Sequence, residues 1–161
     1  MGTAGRWPLL VQGEAPRDLL LRRFREAGSA ILFGTDSFWE GVDVPGRSLR
    51  ALVLAKLPFK VPTEPLTAAR LERLEAEGQD GFMHYLVPHA ALKLKQGFGR
   101  LIRTTTDLGV VVLMDSRVVT RRYGGLLLAS LPPAERVVGP WPTVRAAAEE
   151  FFARHGIGAP A

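Results

Sequence analysis

Cysteine is absent from the 161 residues of this chain. That excludes disulfides, thiol nucleophiles and any thiolate-held zinc or iron–sulfur centre within it. A phosphate-cradling loop is missing too. Such a loop reads G-x-x-x-x-G-K-[ST], because backbone amides wrap the phosphates and the lysine meets their charge. Here no glycine is followed by lysine, and no Asp-Glu-x-His box stands ready to hold magnesium after a strand. The histidines His84, His89 and His155 lack ligand spacing, so no metal site is expected. No apolar run approaches the roughly 20 residues of a membrane span. The opening Met1-Gly2-Thr3-Ala4-Gly5-Arg6 has no signal-peptide core. The expectation is a cytoplasmic chain with no membrane partner.

What is present describes one globular domain. Hydrophobic residues make up 47% of the chain, enough to build a core at this length. Lysine and arginine outnumber acids 21 to 16, giving a net charge of +5. Such a balance favours a polyanionic partner, although an arginine-rich codon bias produces the same count. Apolar runs alternate with helical patterns. Strands are predicted at Leu9 to Val11, Ala30 to Phe33, Leu49 to Leu57 and Leu108 to Met114, the last as the clearest buried strand. Helices are predicted at Pro16 to Ala27, Thr63 to Glu77 (well capped, closed by Gly78), from Pro88 through Gln96, at Arg117 to Tyr123 and at Thr143 to His155. The alternation implies an α/β fold with a mainly parallel sheet covered by helices on both faces. Pro132-Pro133 marks a boundary, and 133–161 is expected to be a C-terminal helical extension of the same domain.

Two stretches carry chemistry. In Lys95-Gln96-Gly97-Phe98-Gly99-Arg100-Leu101-Ile102-Arg103, read as a helix, Gln96, Arg100 and Arg103 are spaced i, i+4, i+7. At about 100° per residue they share one side, within about 60°. Ala91, Leu94, Phe98, Leu101 and Ile102 take the opposite side. Two guanidiniums and an amide aimed together suit a polyphosphate; a solvated face of an amphipathic helix suits the same pattern. Gly97-Phe98-Gly99 is too short for a dinucleotide fingerprint, and its glycines fit close approach of a facing domain.

The second stretch runs from Ile31 to Gly46. An apolar strand is cut off by Gly34, and Ser37 and Glu40 have capping-box spacing for a short helical turn. Gly41, Pro45 and Gly46 return the chain to a loop. A loop leaving a parallel strand is where α/β proteins bind phosphates; a tight connection without a ligand is equally compatible. Phe38 and Trp39 are expected to pack in the core, with stacking on bases the alternative. Pro62-x-x-Pro65 shapes a loop, and Arg121-Arg122 forms a solvated face.

Together the two stretches resemble motifs V and VI of superfamily 2 helicases of the DinG/XPD group. The wording is close to that of the bacterial DinG helicases: Gly34-Thr35-x-Ser37-Phe38-Trp39-Glu40-Gly41-Val42-Asp43-Val44-Pro45-Gly46, then Lys56-Leu57-Pro58-Phe59, Gln96 to Arg103, Asp115-x-Arg117 and Tyr123-Gly124. The order persists from about Ala30 to Pro132. The resemblance implies a RecA-like three-layer fold. It also implies that residues 1–161 form the second motor domain, lacking the preceding motif IV strand and helix, so that Met1 need not be the natural start.

Roles follow from the same resemblance. Arg100 and Arg103 match arginines that reach the γ-phosphate of ATP held on the first domain, and Gln96 matches a residue on that phosphate or the attacking water. Gly41 and Asp43 match the nucleotide side of motif V, Asp43 on ribose. Thr35 and Ser37 match its nucleic-acid side. The implied partners are single-stranded DNA, ATP with Mg2+, and a first RecA-like domain bearing the Walker A and B elements. Two alternatives stand beside a DNA helicase. One is an RNA helicase, although the DEAD-box form has an arginine before its Gly-x-Asp. The other is a non-enzymatic nucleic-acid-binding remnant.

Overall fold

In the computed structural model the described residues are 7–35, 38, 49–102 and 107–156. The chain opens with β1 (Leu9–Val11), α1 (Arg17–Glu26) and β2 (Ile31–Phe33). β1 and β2 pair in parallel with Leu9 opposite Ile31 and Val11 opposite Phe33. A parallel pair needs a crossover, and α1 supplies it. Leu20, Leu21 and Phe24 of α1 are buried together with Phe38, against Leu10 and Leu32. Phe38 is therefore a core residue, 6% exposed.

β3 (Ala51–Leu54) leads through a proline-rich loop to α2 (Pro65–Ala76). α2 begins with Glu64 at its N-cap and no side-chain capping bond, contrary to the well-capped start expected. Its other end is as expected. Gly78 takes φ 73°, and the Gly78 and Gln79 amides donate to the Glu75 and Leu74 carbonyls at 2.9 Å. That is a Schellman closure, which needs a left-handed residue after the C-cap.

A π-helical turn, Phe82–Leu86, then runs straight into α3 (Val87–Leu101). The wider turn precedes Pro88, which has no N–H to give to a regular ladder. Val87, Ala90, Leu94, Gly97 and Leu101 form the buried side of α3. α3 ends at Leu101, and Ile102 is extended at φ −113°, ψ 104°. The helix expected through residue 103 therefore stops two residues earlier. Ile102 is partly exposed, not buried with Leu101.

β4 (Val110–Leu113) pairs in parallel with β3, Ala51 opposite Val110 and Leu54 opposite Leu113. It is shorter than expected and only half-buried. The single helix predicted from Arg117 to Tyr123 is two, α4 (Arg117–Thr120) and α5 (Arg122–Ala129). Arg121 between them is extended at φ −109°, ψ 146°. Gly124 lets α5 fold back on α4, since a Cβ there would occupy the place of the Val118 carbonyl. Leu54, Leu57, Val87, Ala90, Leu94, Val118 and Leu127 make the second core. Full burial of a leucine such as Leu94 or Leu127, both 0% exposed, contributes about 1.5–3 kcal/mol. α6 (Trp141–Arg154) buries none of its residues.

The structure thus shows an α/β chain with two small parallel strand pairs and helices. Among the described residues the strands do not join into one sheet, and each pair has one covered face. Leu10 and Leu32 point into one core, and Leu52, Leu54, Val111 and Leu113 into the other. Leu9, Ile31, Phe33 and Val53, one residue out of phase, are exposed.

Candidate functional site

Polar groups gather where the parallel strands end. Gln12 follows β1 directly, and its backbone amide donates to Phe33 O at 2.9 Å. Thr35 stands two residues past β2. The Thr35 backbone N–H donates to Gln12 Oε1 at 2.7 Å, and the Thr35 hydroxyl lies 3.0 Å from the same oxygen. Beside them a pocket of about 390 Å³ is lined by Gln12, Gly13, Ala15, Arg17 and Phe38. Arg17, in the first turn of α1, donates from Nη2 to Phe38 O at 2.8 Å. Its guanidinium lies 5.4 Å from the centre of the Phe38 ring, within the range of a cation–π contact.

At the ends of β3 and β4 an aspartate ties two strands together. Asp115 accepts from Leu57 N at 3.0 Å and from Arg117 N at 3.1 Å. Arg117 also donates to it from Nε at 2.9 Å and forms an ion pair through Nη2 at 2.6 Å. The Arg117 side-chain bonds hold the Asp115 carboxyl well below the usual carboxylate range; burial, the next largest effect, opposes them, and the Leu57 and Arg117 backbone donors reinforce them. Asp115 in turn raises the Arg117 guanidinium. Arg117 lies 5.6 Å from the Phe59 ring centre. Phe59, Phe82 and Tyr123 form a three-ring cluster with centroids 5.2–5.5 Å apart. This constellation closes the second core.

Gln96 and Arg100 occupy successive turns of α3. Gln96 is exposed and Arg100 partly so, while Leu94, Gly97 and Leu101 lock the other side. Gly99 has open space around it, with nothing within 4 Å of a Cβ built there. Helical register unites Gln96 with Arg100, and the helix ends at Leu101. Arg103 lies outside the described residues, as do Ser37, Trp39, Glu40, Gly41 and Asp43. Thr35 belongs to the other strand pair, beside the first core. Among the described residues no group of three or more His, Asp or Glu side chains could hold a metal ion. No helix there is long and apolar enough to cross a membrane.

Gln12 and Arg17 were not singled out by sequence. The signal was faint: a glutamine-glycine pair at the end of a short apolar run. Its pairing with Thr35, 23 residues away, follows from the β1–β2 register and not from any local pattern.

Parallel strand pairs with polar groups at their carboxyl ends place the chain among the α/β proteins whose functional surface lies at those ends. More narrowly, the chain belongs to the Helicase C-terminal domain family, whose model matches residues 2–134. It is 50% identical over 129 residues, 80% of this chain, to the ATP-dependent DNA helicase YoaA of Escherichia coli. It is 48% identical over 137 residues, 83% of the chain, to the ATP-dependent DNA helicase DinG of Photobacterium profundum. The 3'-5' exonuclease DinG of Bacillus subtilis is 42% identical over 113 residues, 70% of this chain and 12% of that protein. The chain spans about a fifth of the length of the YoaA and Photobacterium relatives. The resemblance to DinG-type helicases drawn from the motifs therefore holds, and the family match ends beside Pro132-Pro133.

Proposed function

We propose that this chain is the second motor domain of an ATP-dependent DNA helicase. It completes an ATP site whose phosphate loop and magnesium ligands lie on a first RecA-like domain. The observation that carries this is the 50% identity with a protein named an ATP-dependent DNA helicase over a stretch of 129 residues. The sequence itself has no Gly-Lys pair and no Asp-Glu-x-His box, which fits a division of labour between two domains.

In this scheme Gln96, Arg100 and Arg103 face the γ-phosphate across the cleft. The guanidiniums of Arg100 and Arg103 stabilise the charge that builds on the transferring phosphoryl oxygens. Gly41 and Asp43 face the nucleotide, while Thr35 and Ser37 lie on the strand side, where contacts go to backbone phosphates and carry no sequence information. ATP and Mg2+ are the cofactors, single-stranded DNA the substrate strand, and the cytoplasm the compartment. Residues 1–161 form one RecA-like unit, with 133–161 as its helical extension. The exposed strand positions Leu9, Ile31 and Phe33 of one pair and Val53 of the other support a further covering layer, because strands of unbroken apolar sequence are those covered on both faces.

The test is ATP hydrolysis. The chain alone should show no DNA-stimulated turnover. Joined to a first domain bearing Walker A and B from a DinG relative, it should gain turnover that depends on single-stranded DNA. Turnover by the isolated chain, abolished by Arg100→Ala, would contradict the proposal. A joined protein that binds DNA without hydrolysing ATP would favour a non-enzymatic remnant.

A further inference from the structure

We infer that Gln12 is the residue that touches a backbone phosphate at this strand edge, and that Thr35 acts through it. The inference rests on the DNA-binding proposal above and changes which side chain makes the contact.

Thr35 offers two donors, its backbone N–H and its hydroxyl, and both converge on Gln12 Oε1 at 2.7 and 3.0 Å. A backbone N–H can only donate, so the atom facing it must be the amide oxygen of Gln12 and not its nitrogen. With two hydrogen bonds that oxygen's lone pairs are filled. What the side chain has left to offer is its NH2 group, a pair of donors.

The neighbouring pocket asks for such donors. Among the described residues its polar side chains are Gln12 and Arg17. The Arg17 guanidinium is held in place by Phe38 O and the Phe38 ring. An amide and a guanidinium together suit an anionic, acceptor-rich group. Thr35 is not among the lining residues; it stands behind Gln12 and fixes its orientation. The cavity is about 390 Å³ and opens to the surface, where a phosphodiester could reach both groups. Gln12 and Arg17 thus take one phosphate of a single strand, and Thr35 is a positioning residue.

The experiment uses the 161-residue chain, 15N-labelled and titrated at low salt with an oligothymidylate, and in a second arm with ATP. The Gln12 side-chain NH2 resonances should move with the oligonucleotide. Gln12→Glu keeps an oxygen for Thr35 but replaces the donors with negative charge, and should weaken oligonucleotide binding at least tenfold. Thr35→Val should weaken it less, and Thr35→Ser should restore it. Adding Thr35→Val to Gln12→Ala should cost nothing beyond Gln12→Ala alone, with melting curves confirming that each variant is folded. Oligonucleotide binding unchanged in Gln12→Glu and Gln12→Ala would overturn the assignment. So would a further loss from Thr35→Val in the Gln12→Ala background, since Thr35 would then touch the strand itself. Equal movement of the Gln12 amide by ATP would overturn the strand contact in favour of a general phosphate site. If the wild-type chain binds no oligonucleotide at any salt, the DNA-binding proposal itself fails; binding indifferent to Gln12 sinks this assignment alone.

Discussion

Asp115 shows how one carboxylate can tie together chain segments far apart in sequence. Its oxygens accept from Leu57 N beyond β3 and from both the backbone and guanidinium of Arg117. The two loops that end the β3–β4 pair are thereby pinned. Because the folded carboxyl titrates below its unfolded value, its stabilisation is fully present above the ordinary carboxylate range and is lost as pH falls toward the folded value. Stability should therefore be flat near neutrality and decline below about pH 4. Asp115→Asn should flatten part of that acid limb. At neutral pH it should cost about 1–2 kcal/mol, toward the modest end for a charged hydrogen bond because solvent screens the partner. Arg117, 44% exposed at its side chain, is that screened partner. Chemical denaturation at pH 7 and pH 3 checks both statements, and superimposable acid limbs would contradict them.

At the scale of elements, burial pattern decided what could be read in advance. The crossover unit β1–α1–β2 was legible because its apolar runs and amphipathic helix have clean periods. α3 was legible as a helix, but its buried side, Val87, Ala90, Leu94, Gly97 and Leu101, shares only Leu94 and Leu101 with the side its apolar pattern suggested. Illegible features depend on contacts across the fold. The break at Arg121 arises where α5 turns back on α4, and Gly124 permits it because the Val118 carbonyl occupies the space a Cβ would need. Gly124→Ala should therefore lower stability by about 3 kcal/mol or more, as overpacking against backbone cannot relax cheaply. Leu94→Ala, at a position with no exposure, should cost about 2–5 kcal/mol through the cavity it leaves. A thermal melt separates the two from neutral surface changes; an unchanged midpoint for Gly124→Ala would mean that α5 can reposition. The candidate site divides in the same way. Gln96 and Arg100 could be paired by counting along a helix, whereas Gln12 and Thr35 meet only through strand register.

At the scale of the whole molecule, charge and exposed surface set the expectation for binding. Each of its strand pairs has one covered face, its net charge is +5, and its match spans about a fifth of the YoaA and Photobacterium relatives. The isolated chain should bind single-stranded DNA weakly and without sequence preference. Its affinity should fall steeply between low and physiological salt, because phosphate contacts release counterions. Anisotropy titrations with oligonucleotides of different sequence at two salt concentrations measure this. Tight, salt-resistant, sequence-selective binding would point to a dedicated binding module instead.

Once a first motor domain is joined to the chain, ATP hydrolysis is expected to depend on Arg100, on the outward side of α3, and on Arg103. Steady-state ATP hydrolysis and single-strand binding are measured on the same preparations of wild type, Arg100→Ala and Arg103→Ala. Each arginine replacement is expected to lower kcat by about 10³-fold, the scale of a lost arginine finger, while the Kd for DNA shifts by only a few fold. The double replacement should cost less than the product of the singles, since both groups stabilise one developing charge. Near-wild-type kcat in both single variants would show Gln96 and Arg100 to be a solvated helix surface and would contradict the account.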